Sequence, residues 1–130
     1  MPYIYQNAEA LEGTGKVGSK HCVALLQHYA QLPHTSSWKP GETVFGNANV
    51  KKGTAIATFN SAGRYGSLPT GNHAAFFISQ DPGGIWIMDQ WLSDTQKPKV
   101  SMRYIRPKVQ RKNGDFSDPS NNAAAYSIIE

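Results

Sequence analysis

A single cysteine, Cys22, stands in 130 residues. One thiol excludes an intrachain disulfide framework and any cysteine-based zinc site. No apolar run approaches membrane-spanning length, so membrane insertion is not expected. The opening residues Met1-Pro2-Tyr3-Ile4-Tyr5-Gln6-Asn7 lack a basic segment followed by an apolar one. No secretory signal peptide is therefore expected, and a cytoplasmic origin follows, with any action elsewhere requiring another export route. Internal repeats, low-complexity tracts and linkers are also missing, which with the short length predicts one domain over residues 1–130.

Charge is sparse, at 17% of residues with a formal net charge of +4. The cations are scattered over Lys16, Lys20, Lys39, Lys51, Lys52 and the stretch from Lys97 to Lys112. Without a basic run a nucleic-acid partner is not expected, while an anionic surface such as a cell wall stays compatible. What the chain does have is 12 Gly, 8 Pro and fourteen aromatics (5 Phe, 3 Trp, 6 Tyr). That mixture predicts a turn-rich α+β domain rather than a helical bundle or a disordered segment.

The best helix runs from about Ser19 to Gln31, with Val23, Leu25, Leu26, Tyr29 and Ala30 at helical spacing and Pro33 stopping it. Ser19 is the expected N-cap, which would put Cys22 at N3. A thiol in the first turn of a helix meets unpaired amides and the positive end of the macrodipole, both of which favour the thiolate. The glycine loop Gly13-Thr14-Gly15-Lys16-Val17-Gly18 leads into it and matches neither phosphate-binding pattern, so close approach of backbone to substrate is its expected use.

Strands are expected at Thr54–Phe59, His73–Ser79, Ile85–Trp91, Val100–Ile105 and Ala124–Ile129, with the turn Asp81-Pro82-Gly83-Gly84 joining the second and third. The glycine-punctuated stretch from Asn60 to Asn72 is a long loop ending at His73. Loops of that length in a compact domain are usually functional. This order predicts helices on one side of a small antiparallel sheet.

A cysteine hydrolase needs a thiolate, a histidine in reach and a group that orients the histidine. Of the four histidines, His21 points away from its neighbour Cys22, His28 lies too far along the helix, and His34 sits in a polar loop. His73, at the start of a core strand, is the candidate partner; simple strand packing explains it equally. The third group depends on hairpin register. If Ser79 and Ile85 flank the loop, Asp89 joins the face of His73; if Gln80 and Ile85 flank it, Gln90 does. An anionic Asp89 would hold the imidazole tautomer and stabilise the imidazolium, which favours it. No metal or other cofactor is expected, since the histidines and Cys22 lack ligand spacing.

His21-Cys22-Val23-Ala24-Leu25-Leu26-Gln27, Gly71-Asn72-His73-Ala74-Ala75-Phe76-Phe77-Ile78 and Ile87-Met88-Asp89-Gln90-Trp91 resemble the NlpC-type and CHAP-like papain-fold peptidases that cut peptidoglycan peptides. Gly53 to Phe59, Gly63-Arg64-Tyr65 and Asn72 to Ala75 are similar, more narrowly, to the small amidase effectors that Gram-negative bacteria inject by type VI secretion. The resemblance implies a papain-like, NlpC-like α+β fold with the cysteine helix packed on the sheet. Cys22 would be nucleophile, His73 general base and acid, and Asp89 the orienting residue. The implied substrate is the peptidoglycan stem peptide, with the diaminopimelate–D-Ala cross-link favoured over the D-Glu–diaminopimelate bond. A cognate immunity protein is the implied partner and the periplasm of a rival cell the implied place of action, where a lone cysteine avoids mispairing.

Trp38, Tyr65, Asn72, Gln90 and Trp91 are the candidate substrate-binding residues, the aromatics being equally explicable as core packing. Cys22 brings its own N–H to the oxyanion; a second donor has no assignment from sequence. Two other readings are a housekeeping or phage-type wall endopeptidase and a non-catalytic wall-binding module.

Overall fold

The computed structural model describes residues 2–66 and 71–130. Helix α1 spans Cys22–Ala30, and the strands are β1 (Pro40–Thr43), β2 (Ala55–Thr58), β3 (Ala74–Asp81), β4 (Gly84–Asp89), β5 (Ser101–Ile105) and β6 (Tyr126–Ile129). They form one six-stranded sheet in the order β1-β6-β2-β3-β4-β5, every neighbouring pair antiparallel. This is the α+β arrangement expected, with α1 against one face.

The sheet is covered on both sides, which is why the buried stretches of its central strands, Ala55–Ala57, Ala74–Ile78 and Ile87–Met88, are apolar. On one face Ala55, Ala57, Ala74, Phe76 and Met88 meet Leu25 and Leu26 of α1. Three alanines there leave room for the helix to seat its leucines, each worth roughly 1.5–3 kcal/mol of burial. On the other face Ile56, Ala75, Phe77, Ile85 and Ile87 pack with Val44, Ala123 and Tyr126.

The start of α1 differs from expectation. Ser19 is not the N-cap; His21 is, in extended geometry and without a side-chain capping bond, and Cys22 is therefore N1 rather than N3. The cause lies in the preceding turn. Gly18 and Lys20 both have left-handed backbones (φ 58° and 69°), and Lys20 N–H closes onto Val17 O at 3.0 Å. Helical geometry cannot begin until that turn is complete. A Cβ at Gly18 would also stand 3.0 Å from Ala24 Cβ, so the tight approach needs glycine.

Two further elements depart from the reading. Pro40–Thr43 is an edge strand, mostly exposed, whose leading proline suits an edge and leaves no hydrophobic alternation to find. The last strand starts at Tyr126, because Asn122 Oδ1 accepts Ala124 N–H at 3.0 Å and holds Ala123–Ala125 as a 3₁₀ turn. Of the long loop before His73, residues 67–70 lie outside the described residues.

The hairpin decides the site. At the turn Asp81 pairs with Gly84, Gln80 with Ile85 and Ser79 with Trp86; beyond it Phe77 pairs with Ile87 and Phe76 with Met88. Ile78 is an extra residue, a β-bulge that shifts the ladder by one. The register flanking the turn would put Gln90 with His73. Past the bulge the other register holds, and Asp89 shares the face of Ala75 and His73.

Candidate active site

Three chain segments bring the site together: the first turn of α1, the start of β3 and the end of β4. His73 is only 5% exposed and is fixed through its backbone, its N–H donating to Thr58 Oγ1 and its carbonyl accepting Thr58 N–H, both at 3.0 Å. Its Nε2 lies 2.7 Å from Asp89 Oδ2. A carboxylate only accepts, so Nε2 carries the proton, and Nδ1 is left for the hydrogen bond with Cys22.

Asp89 is fully buried. Arg103 Nε donates to Oδ2 at 2.7 Å, beside the histidine, and Lys97 Nζ stands 2.7 Å from Oδ1. The lysine contact is a close ion pair, but it lies off the hydrogen-bonding direction, so Oδ1 accepts no directed bond. Burial pushes the Asp89 carboxyl up, and His73, Arg103 and Lys97 together overcome it and hold the group far below the usual carboxylate range. Burial likewise lowers the His73 imidazole, and its bonds to Asp89 and Cys22 outweigh that and raise it.

Cys22 is partly buried, and burial alone would raise its thiol. The hydrogen bond and charge of His73 prevail, assisted by the Tyr65 hydroxyl and the Ala74 N–H, and the thiol falls below its ordinary value. Cys22 and His73 thus favour a thiolate–imidazolium pair. Tyr65 Oη lies 3.4 Å from Cys22 Sγ, its ring held against Trp38 (centroids 5.0 Å apart) and edge-on to Phe59. As the first residue of α1, Cys22 has an N–H with no partner within the helix, as a donor to an oxyanion requires.

The other expected residues take distinct places. Trp38 is 4% exposed, with its indole N–H donating to Pro33 O at 3.0 Å, and supports Tyr65 from behind. Gln90 is fully buried, accepting Val17 N–H and donating to Val17 O and His21 O at 2.8–3.1 Å. Its amide therefore braces the turn that delivers Cys22. The glycine loop is pinned further by Gly13 N–H to Val100 O (2.8 Å) and by Lys16 Nζ to Trp91 O (3.0 Å). Trp91 stands edge-on to His73 (centroids 6.2 Å), with Asn72 beside it in the same cleft. Among the described residues no three His, Cys, Asp or Glu side chains gather as a metal-binding group. No described helix is long and apolar enough to cross a membrane.

Lys97 and Arg103 were not evident from sequence. A signal existed for Arg103: it shares the face of Ser101 and buried Ile105 on β5, and so points inward. Lys97 lies in the irregular connection between β4 and β5 and carries no such mark.

Comparison with known proteins shows the family. The family model described as domesticated amidase effector 2 matches residues 3–128. A type VI secretion amidase effector 2 protein of Salmonella typhi is 54% identical over the full length of both chains. Domesticated amidase effector 2 of Ixodes scapularis is 35% identical over 122 residues, 88% of this chain and 73% of that one. Among solved structures, type 6 secretion amidase effector 2 (Tae2) superposes with a TM-score of 0.94 at 52% identity, covering 98% of this chain and 94% of its own. The chain belongs to the domesticated amidase effector 2 family.

Proposed function

We propose that this chain, one amidase domain over residues 1–130, is a peptidoglycan amidase with a cysteine mechanism that cuts the diaminopimelate–D-Ala cross-link of stem peptides. The observation that carries the reading is Cys22, at the first turn of α1, sharing a buried imidazole with Asp89 at 2.7 Å. The family relationship supports amide hydrolysis as the reaction.

In the mechanism, Cys22 Sγ adds to the carbonyl carbon, and the carbonyl electron pair moves to oxygen. The Cys22 N–H and the Tyr65 hydroxyl receive the oxyanion, the latter swinging from sulfur as its charge is lost. The C–N bond then breaks as imidazolium His73 gives its proton to the leaving nitrogen. Neutral His73 next takes a proton from water, which attacks the thioester, releases the carboxylic acid and restores the thiolate–imidazolium pair. Asp89 keeps the imidazole in one tautomer throughout. Trp38, Tyr65, Asn72 and Trp91 form or back the cleft around these atoms, while Gln90 acts through the backbone before Cys22.

The test is digestion of purified Gram-negative sacculi by the wild type and by Cys22→Ala, with fragments read by mass spectrometry. After muramidase digestion of the treated sacculi, wild type should have converted cross-linked muropeptides to monomers ending in D-Ala, and Cys22→Ala should have converted none. Binding of sacculi by both proteins without cleavage would replace this reading with a wall-binding module.

The setting is proposed on the same footing: type VI delivery into the periplasm of a rival Gram-negative cell, with an immunity protein protecting the producer. The names of the relative from Salmonella typhi and of the solved structure support it. Expression directed to the Escherichia coli periplasm should lyse cells, while cytoplasmic expression should not. Equal tolerance of both would sink the periplasmic assignment.

A further inference from the structure

Two hollows flank the catalytic pair. One, lined by Trp38, Lys39, Arg64 and Tyr65, lies on the side of Cys22. The other, of about 290 Å³, lies on the side of His73 and is walled by Trp91, Arg103, Ser120 and Asn121. The leaving nitrogen takes its proton from His73, so the leaving fragment belongs on the histidine side.

The charge of this second cleft is unbalanced. With the thiolate–imidazolium pair formed, His73, Lys97 and Arg103 face Asp89 and Cys22, and the nearby Asp118 carboxylate is answered by Lys108, which leaves one positive charge. The cation nearest the opening is Arg103, whose side chain is 22% exposed while that of Lys97 is 5% exposed. Arg103 Nε is committed to Asp89, one Nη1–H to Asn121 Oδ1 (2.6 Å) and one Nη2–H to Ser120 O (2.9 Å). A guanidinium has five N–H groups, so among the described residues one on each terminal nitrogen is left for an incoming acceptor. The Trp91 ring, 5.4 Å from the guanidinium carbon, holds the group by a cation–π contact and walls it off from one side.

We infer that the His73–Trp91–Arg103 cleft is a carboxylate-binding subsite for the residue that supplies the leaving amine. The chemistry of the stem peptide gives this a consequence. When the D-Ala–diaminopimelate cross-link breaks, the carbon bearing the leaving amine also bears a free carboxylate, the one at the D centre. When the D-Glu–diaminopimelate bond breaks, the carboxyl on the corresponding carbon is already an amide to D-Ala. A cation one residue beyond the scissile nitrogen therefore selects the cross-link. The inference rests on the amidase reading above and names what that site recognises.

The experiment compares two synthetic cross-linked stem-peptide dimers, alike except that the D-centre carboxyl next to the scissile nitrogen is free in one and a carboxamide in the other. The full chain should cleave the free acid with kcat/KM about tenfold or more above the amide, chiefly through KM, because the amide leaves the cleft's positive charge unanswered. Arg103→Gln should bring that ratio close to one, and Arg103→Lys should restore part of it. A merely structural Arg103 would slow both substrates alike and keep the ratio. Near-equal cleavage by the wild type overturns the subsite while leaving the amidase intact, and needs no variant to fold. A large ratio that persists in Arg103→Gln overturns the assignment to Arg103. Failure to cut either dimer brings down the amidase reading, and the subsite with it.

Discussion

Two aspartates occupy the two ends of the β3–β4 ladder, and they live by different physics. Asp81, at the turn, is exposed; it accepts the Tyr104 hydroxyl at 2.6 Å and Gly83 N–H at 2.8 Å, and these bonds, the tyrosine's first, lower its carboxyl. Asp89, at the open end, has no contact with water and takes its ionisation from His73, Arg103 and Lys97. Water solvates the first charge whatever its neighbours do. The second exists only because its neighbours are cations, and they in turn are stable in the interior only because of it. An exposed carboxylate shapes a hairpin; a buried one ties the end of β4, the start of β3, the middle of β5 and the β4–β5 connection into one unit.

The contrast is tested most severely by Asp89→Asn. Turnover should fall about 10²–10⁴-fold, since the amide no longer fixes the imidazole tautomer. Stability in urea should fall by about 3–5 kcal/mol, with Lys97 and Arg103 left uncompensated in the interior. Activity above a tenth of wild type would mean that the buried charge is not what orients His73.

Tyr65→Phe should come next, with kcat reduced about 10²-fold and the rate of Cys22 alkylation by iodoacetamide reduced far less, since His73 does more than the hydroxyl to lower the thiol. A parallel fall in both would show that the hydroxyl tunes the thiolate instead of receiving the oxyanion. Gln90→Leu should cost roughly 2–3 kcal/mol of stability, because Val17 and His21 backbone groups lose their buried partners. Thermal unfolding checks this, and unchanged stability would remove Gln90 as the brace of the Cys22 turn.

The pH dependence sharpens the comparison. Asp89 has a folded pKa below its unfolded one, near 3.9, so its stabilisation is whole above about pH 4 and drains away as the pH falls. His73 has a folded pKa raised above 6.5, so its contribution is whole below about pH 6.5 and is lost as the pH rises through the folded value. Chemical denaturation across pH should show a weaker acid-side loss in Asp89→Asn than in wild type. The smallest effect belongs to Asp81→Asn, for which kcat/KM should stay within about twofold of wild type, as for most surface changes. A large activity loss there would erase the distinction between the two ends.

How much of this was legible before the fold was known depends on the range of each interaction. Cys22 and His73 could be read because helix spacing, a proline stop and a buried apolar run are local features. The choice between Asp89 and Gln90 could not, since it turned on one extra residue, Ile78, whose bulge shifts the ladder midway along the hairpin. Both registers considered from sequence occur, one on each side of it. Ser19 failed as N-cap because the left-handed Lys20 was unforeseeable: only glycine and a few polar residues advertise positive φ. The β1 edge strand escaped because exposed edges carry no alternation.

The sequence by itself pointed to the class of fold, through periodicity and turn chemistry, and put forward Cys22 and His73 as candidate nucleophile and partner, whose roles came from the family resemblance. Only the tertiary structure decided that Asp89 and not Gln90 lies against His73, that Gln90 braces a backbone turn, that Tyr65 faces the sulfur and that Lys97 and Arg103 surround the Asp89 carboxylate. These are contacts between groups distant in the chain, fixed by strand register and loop closure. Patterns within one segment carry no record of them.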